Sequence, residues 1–490
     1  MKNLKTNYLK ITFLLGLVIL TSISCERDLS DDATVSTFSK TGEIFTDTPV
    51  GLGSNFYFPY GPGPDNPVGS KFTAWSVDSQ ESYKGFASMR FDVPNNNDPN
   101  GNYAGGIFRI DGAGRDLSGY DALTFWAKAS QGVTVGEIGF GEDFFPNKYI
   151  TTMRNISVGT AWAKYVIPIP DASKLINERG MLRYAAGTDG TGGLGYTFWI
   201  DELRFEKLGT IAQPRPAIAN GVDKIVDTFT GVTIPITGLK ETFNLASGIN
   251  QDVFPSINYF VFRSSNPSVA TVNATGQINV IGSGTTIITG NIGGSLNTVT
   301  NAFVGGIDSV DSITINSLGT FSLAPTPTRD PSNVLSVFSD TYNTVPVTYY
   351  NGFWTPGSTT GSADFTVSGN NILNYTNFNY VGIAFTNPTL NASAMTKIHL
   401  DMYVPGNVPA NFDFLISIED WGPNQVDNGN DDTRQQIFVR RADVLPGNTW
   451  ISIDATLTLA NRNNIGLIIL ENINGSSLSN FYLDNIYFYN

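Results

Sequence analysis

Cysteine is almost absent from this chain. Its 490 residues contain one, Cys25, so no disulfide framework holds the fold. Histidine is as scarce: His399 stands alone in an ordinary strand pattern, which leaves no Ser/His/Asp arrangement for nucleophilic catalysis. Charge is sparse, at 15% of residues, and positive charge is the minority, with 29 Lys and Arg against 43 Asp and Glu. The resulting formal charge of −14 argues against nucleic acid or an anionic lipid surface as the partner. Long amphipathic helical patterns are nearly missing. What is abundant is glycine, at 50 residues, and aromatic side chains, at 12%. Short alternating runs broken by Gly, Asn and Asp turns predict an all-β, multidomain chain, of about three domains at roughly 150 residues each.

The N-terminus reads as an export signal. Lys2, Lys5 and Lys10 precede the apolar run Ile11 to Leu20, which is too short to span a bilayer. The run ends Thr21-Ser22-Ile23-Ser24-Cys25, which resembles a bacterial lipobox, and the resemblance implies lipidation of Cys25. Loss of residues 1–24 removes three lysines and no acid, and takes the formal charge from −14 to −17. Residues 25–40, polar and carrying Asp28, Asp31 and Asp32, read as a tether.

A duplication organises the rest. Phe198-Trp199-Ile200-Asp201-Glu202-Leu203-Arg204-Phe205 and Phe481-Tyr482-Leu483-Asp484-Asn485-Ile486-Tyr487-Phe488 share one pattern, a strand of large residues interrupted by a carboxylate. Phe45-Thr46-Asp47 and Phe338-Ser339-Asp340 open the two blocks, and Gly159-Thr160-Ala161-Trp162 and Gly447-Asn448-Thr449-Trp450 precede the closing strands. The expected division is 41–212 and 307–490 as jelly-roll β-sandwiches, with 213–306 as a different, smaller sandwich between them. Gln213-Pro214-Arg215-Pro216 is expected to be a stiff linker, and Ala172 to Arg179 a short helix with Asp171 as cap and Gly180 as stop.

Three kinds of chemistry are open to these residues. Glu137 and Glu142 are the nearest approach to a catalytic carboxylate pair, but Gly139 stands where an orienting acid is needed, so no catalytic residue is assigned. Asp47 with Asp201, and Asp340 with Asp484, pair a first-strand acid with a last-strand acid; the expectation is a structural calcium pinning each sandwich, against the plainer reading that they cap turns through backbone N–H groups. Sugar binding needs aromatic rings for the apolar face of a pyranose and directional polar groups for its hydroxyls. Trp354, set among turn residues, leads the candidates, followed by Trp421 in a second polar loop. Tyr380, Tyr350, His399, Asp401, Arg440 and Gln436 are the expected polar frame, because Ile398 to Val404 alternates and places His399, Asp401 and Tyr403 on one face. Trp126 and Phe145 are weaker candidates in the first block, while Trp162, Trp199 and Trp450 read as core.

These residues carry family resemblances. Tyr120 to Lys128, Gly139 to Phe145, Lys164 to Pro170 and Thr197 to Glu202 are similar to the jelly-roll modules of surface glycan-binding lipoproteins in Bacteroidetes polysaccharide-utilisation systems. Ser264 to Gly276 and Gly282 to Ile288 resemble the bacterial Ig-like family. Val337 to Asp340, Gly352 to Trp354, Asn377 to Gly382 and Tyr482 to Phe488 are similar to carbohydrate-binding modules on laminarinase-type enzymes. The resemblance implies a non-catalytic, outer-membrane, lipid-anchored protein facing the cell exterior. Its implied partners are a polysaccharide, with a β-1,3-glucan such as laminarin expected first, and a neighbouring outer-membrane transporter. A surface adhesin binding a protein partner is the alternative, and a glycoside hydrolase the weakest reading.

Overall fold

The computed structural model describes residues 38–490 apart from 52–56, 65, 145–147, 353, 355–356 and 387. Cys25 and Phe145 lie outside the described residues. The fold is all-β and multidomain, and the strands among the described residues form six sheets. Among the described residues no helix is long and apolar enough to cross a membrane.

The duplication is exact in topology. In the first sandwich, Trp75–Asp78, Ser88–Val93, Tyr196–Glu206, Ala122–Ala129 and Ala163–Pro168 lie side by side in that order, and Glu43–Phe45 also pairs with the closing strand Tyr196–Glu206. In the last sandwich Gly361–Val367, Asn370–Thr376, Phe481–Tyr489, Lys397–Tyr403 and Trp450–Thr456 repeat this order, with Val334–Phe338 on the closing strand Phe481–Tyr489. The facing sheets match as well. Phe58–Pro59, Ala104–Arg109, Gly180–Ala186, Val133–Phe140 and Thr151–Val158 correspond to Tyr349–Gly352, Tyr380–Ala384, Ile465–Asn472, Asp413–Asp420 and Thr433–Arg440.

The repeated carboxylate has a local backbone role in both copies. Glu202 and Asn485, the residues that follow Asp201 and Asp484, have φ of 49° and 50°, and each donates its N–H to the Oδ1 of the preceding acid at 2.7 Å. The register shifts beside both residues, so each acid supports a β-bulge in a central strand.

Three expectations are corrected. The helix expected from Ala172 shrinks to the 3₁₀ turn Ala172–Lys174, capped by Asp171 through the Ser173 N–H, and Gly180 starts a strand instead of ending a helix. Too few residues separate Asp171 from that strand for a helix to gain stability. The expected linker Gln213 to Pro216 lies within the strand Ala212–Ala217, which pairs with Lys240–Asn244. Proline is tolerated there because this is an edge strand. Finally, the face of Lys397–Tyr403 that carries His399, Asp401 and Tyr403 is buried.

Residues 321–329 contribute to that burial over Asp401 and Tyr403 of the last sandwich's six-stranded sheet, while His399 is packed by Tyr487, Asp401 and Asp454. Phe321 joins Phe229, Phe365, Tyr403 and Tyr482 in an aromatic cluster, with ring centroids 4.6 Å from Phe229 and 4.9 Å from Tyr403. The Asn485 amide donates to the Pro325 carbonyl and the Trp450 indole to that of Ser322. In the first sandwich the corresponding face is overlaid by residues 81–87: the ring of Tyr83 lies on Trp126 at 3.7 Å and 11°. Trp199 is buried on this outer side, not in the core, with its indole donating to Asp78 and Arg90 and Lys128 over its ring. Trp162 is half-buried beside Tyr83, and Trp450 packs on Phe321.

Candidate functional site

Both six-stranded sheets are partly overlaid, and the outer faces of the facing sheets also carry side chains that meet solvent. In the first sandwich a local twist prepares that face. Val133, Val135, Ile156 and Val158 point into the core, and so do Ile138, Phe140 and Met153. Asn155, at φ 53° and between the partners of Val135 and Glu137, permits the change of parity, and it turns Glu137 and Arg154 outward. In Gly180–Ala186 the core side chains are Met181, Leu182, Tyr184 and Ala186, so Arg183 is also outward.

These groups form one chain of charge-assisted hydrogen bonds. The Tyr60 hydroxyl donates to Glu142 Oε2 at 2.8 Å; Arg183 donates from Nε to Glu142 and from Nη1 to Glu137, both at 2.5 Å; Arg154 Nε donates to Glu137 Oε1 at 2.9 Å. Burial raises the Glu137 carboxyl, but Arg183 and Arg154 outweigh it and hold the group below its usual value. An acid held ionised on two guanidinium groups does not serve as a general acid. Tyr60 and Tyr103 stand beside Gly105 at one end of the chain of groups.

The last sandwich offers a second face of different character. The indole of Trp354 sits directly above Gly382, where any Cβ would overlap it. Tyr380 lies nearly parallel to that indole, at 6.1 Å and 14°, and donates its hydroxyl to the Trp354 carbonyl. Across the sheet follow Glu471, Ser417 and Arg434, with Arg434 donating to both of the others, and then Phe438, which is 48% exposed. Trp354 and Phe438 thus border a strip three strand spacings wide, about 14 Å, in which Glu471, Ser417 and Arg434 lie beside the apolar Leu415 and Ile469.

Of the expected site residues, the fold brings together Trp354 and Tyr380, with Arg440 and Gln436 on the same face; Arg440 is paired with Asp413 at the far strand end. The others are placed elsewhere. Trp421 is only 7% exposed and packs over Gly466, whose missing side chain makes its seat. Gly466→Ala is expected to displace that indole and cost about 1–3 kcal/mol in denaturant unfolding. Tyr350 faces inward, donating to the Val337 carbonyl, and lines a side cleft of about 590 Å³ with Asn351 and Asn371. His399 is held between Asp454, 3.0 Å from Nδ1, and Asp401, 3.4 Å from Nε2, and stacks on Tyr487 at 4.6 Å. Burial lowers its pKa, but the two acids raise it further than burial lowers it. Trp126 is covered by Tyr83.

The paired acids do meet, and their oxygens engage backbone donors. Asp201 Oδ2 accepts from Tyr83 and Lys84, and Asp47 Oδ1 from Phe86 and Ala87, so both acids grip the loop that covers Trp126. Asp201 Oδ1 accepts in addition from the Glu202 N–H. Asp340 accepts from the Asn371 N–H and side-chain amide. Asp484 is pushed up to about 7, first by burial, then by Asp340 and Asp401. Among the described residues no group of three or more His, Cys, Asp or Glu is arranged for a metal.

Sequence reasoning passed over Tyr60, Tyr103, Arg154 and Arg183, and weighed Glu137 and Glu142 only for catalysis. One signal was present: Arg183 is the single charge in an otherwise apolar strand.

Comparison with known proteins bears on these faces. Residues 55–207 match the family Carbohydrate binding domain 30, and residues 259–293 the intimin immunoglobulin-like domain. No curated protein matches the chain. Among solved structures it is similar to the family 30 module of a Clostridium thermocellum cellulosomal cellulase, at 18% identity and a TM-score of 0.25, over 34% of this chain and 96% of that one. It is also similar to a family 11 module from Clostridium thermocellum, at 18% and 0.23, over 32% and 95%. A tandem of family 22 modules from Paenibacillus barcinonensis aligns over 93% of this chain and 99% of that one, at 10% and 0.22. Over residues 55–207 the chain carries the pattern of a carbohydrate-binding module, and that stretch includes the whole Tyr60–Glu142–Arg183–Glu137 network.

Proposed function

We propose that this chain is a non-catalytic, lipid-anchored surface protein that captures a polysaccharide, first of all a β-1,3-glucan such as laminarin, for uptake by a neighbouring outer-membrane transporter. The observation that carries the reading is the Glu142–Arg183–Glu137–Arg154 network on the outer face of the segment that matches a carbohydrate-binding family. Fixed donors and acceptors in a row suit the hydroxyls of a sugar chain. The aromatic-bordered face at Trp354 is the second site, and two linked weak sites on one repeating polymer bind it more tightly than either alone.

Calorimetric titration with laminarin, mannan, xylan and mixed-linkage glucan tests this. Heat with laminarin supports the assignment; binding confined to another polymer moves the specificity, and silence across the panel removes the glycan reading. Trp354→Ala is expected to weaken polymer binding about thirtyfold, near 2 kcal/mol, with an unchanged unfolding transition. Calcium at Asp340 and Asp484 belongs to the same proposal. There it would relieve the repulsion around Asp484, and chelation should lower the melting temperature of the native chain but not of Asp484→Asn. The match of residues 259–293 to an intimin domain favours a second reading, a surface adhesin, for which glycan-independent attachment of cells is the distinguishing result.

A further inference from the structure

The outer sheet of the first sandwich does not stop at its own last strand. Thr151–Val158 pairs with Asn250–Pro255, which pairs with Lys240–Asn244, which pairs with Ala212–Ala217, so one hydrogen-bonded sheet of eight strands crosses from the first sandwich into the middle block. Five strands span about 19 Å and eight about 34 Å.

The seam is fixed. Phe254 lies opposite Thr152, and the Arg154 guanidinium sits 4.3 Å from the Phe254 ring centroid while donating to Glu137. Beneath, the Ser256 N–H donates to the Ile150 carbonyl, the Ser256 hydroxyl and Asn258 amide to that of Lys148, and Tyr259 to that of Tyr149. The inner side chains Phe243 and Val253 belong to the same buried cluster as the first sandwich's core.

Beyond the seam the outward positions keep the character of the network before it. Asp252 accepts from Lys240 at 3.1 Å and from Thr242 at 2.5 Å, and Arg215 donates to Asn250 at 3.2 Å. Along the whole track, Arg183, Arg154, Lys240 and Arg215 face Glu142, Glu137 and Asp252. Charge is nearly balanced on this face although the chain carries −14. Such a surface suits a neutral polyhydroxyl chain and gives no net attraction to a polyanion.

We propose that the middle block is a working part of the glycan site: the polysaccharide that lies on the first sandwich continues across the seam onto Asp252, Thr242, Asn250 and Arg215. This inference rests on the glycan-binding reading of the first sandwich. Arg154 joins the two halves, with Phe254 as its positioning residue. The strands that hold these groups are continuous, so the added subsites are already in line and the bound chain orders no loop to reach them.

The test is binding as a function of glycan length. Laminarin and the trisaccharide derived from it are titrated into the full chain, into Asp252→Ala with Arg215→Ala, and into Arg183→Ala. The double variant alters exposed or half-exposed side chains and is expected to weaken laminarin at least tenfold while leaving the trisaccharide unchanged; Arg183→Ala is expected to weaken both. If Arg183→Ala weakens both ligands and the double variant weakens neither, the extension is wrong and the first-sandwich site stands. If the native chain binds none of laminarin, mannan, xylan and mixed-linkage glucan, the reading beneath it fails as well. Equal unfolding midpoints for the native chain and the double variant keep a folding defect from imitating the effect.

Discussion

Arg183→Ala should abolish glycan binding by the first sandwich and destabilise the chain by about 3 kcal/mol. The side chain is 17% exposed and is shared by two carboxylates, Glu137 and Glu142, themselves 19% and 18% exposed. Removing one partner of a largely buried ion pair costs about 3–5 kcal/mol, because the charge left behind is neither solvated nor paired. Here two acids lose a partner, although Arg154 and Tyr60 keep a hold on them, which places the cost toward the lower end of that range. Arg183→Lys keeps the charge but loses the planar fork that reaches both acids at once, so its stability loss should be smaller while the binding loss persists. Denaturant unfolding and calorimetric titration of the two variants separate these effects. A wild-type binding curve in Arg183→Ala would show that the network only holds the sheet together.

Glu241→Gln should flatten much of the fall in stability between about pH 5 and about pH 8. Glu241 is 1% exposed, on the inner side of the strand Lys240–Asn244, and its Oε2 has no hydrogen-bond partner. Burial, followed by the nearby Asp171, pushes its pKa up to about 8 from an ordinary 4.5. Below the unfolded value the carboxyl is protonated in both states and imposes no penalty. Between the two values the unfolded chain has released the proton and the folded chain keeps it, so stability falls as pH rises. Above the folded value the full penalty of a buried anion is present. At about 1.4 kcal/mol per unit, this one group removes about 4–5 kcal/mol across the window. The glutamine variant carries no such charge. Glu178, raised to about 7 by burial against the opposing Gly180 N–H bond, has the same sign and leaves a residual slope. Urea midpoints of native and variant chains across this pH range measure the difference; parallel curves would mean that Glu241 reaches water when ionised.

How far the sequence revealed the site depended on distance along the chain. Trp354 and Tyr380 could be singled out because glycines and asparagines stand close to both in the sequence, and the Gly382 that seats the indole is two residues from Tyr380 on the same strand. Tyr60, Glu142, Arg154 and Arg183 come from four separated segments. Only the parity change at Asn155 makes Glu137 and Arg154 outward neighbours of Arg183. His399 and Asp401 alternate correctly in the sequence, yet Tyr487 stacks on the one and Asn485, tied to the Pro325 carbonyl, holds the other, a placement that no periodicity contains.

The sequence by itself determined the all-β class and the repetition of the sandwich, since alternation, turn residues and the Asp-bearing closing strands are local patterns set by backbone sterics and by which side chains avoid water. Tertiary structure decided which faces remain open and where the first sandwich ends. A strand edge pairs with whatever backbone is brought against it. The prolines of Gln213 to Pro216 therefore mark the edge of an eight-stranded sheet, where a missing N–H costs nothing on the solvent side.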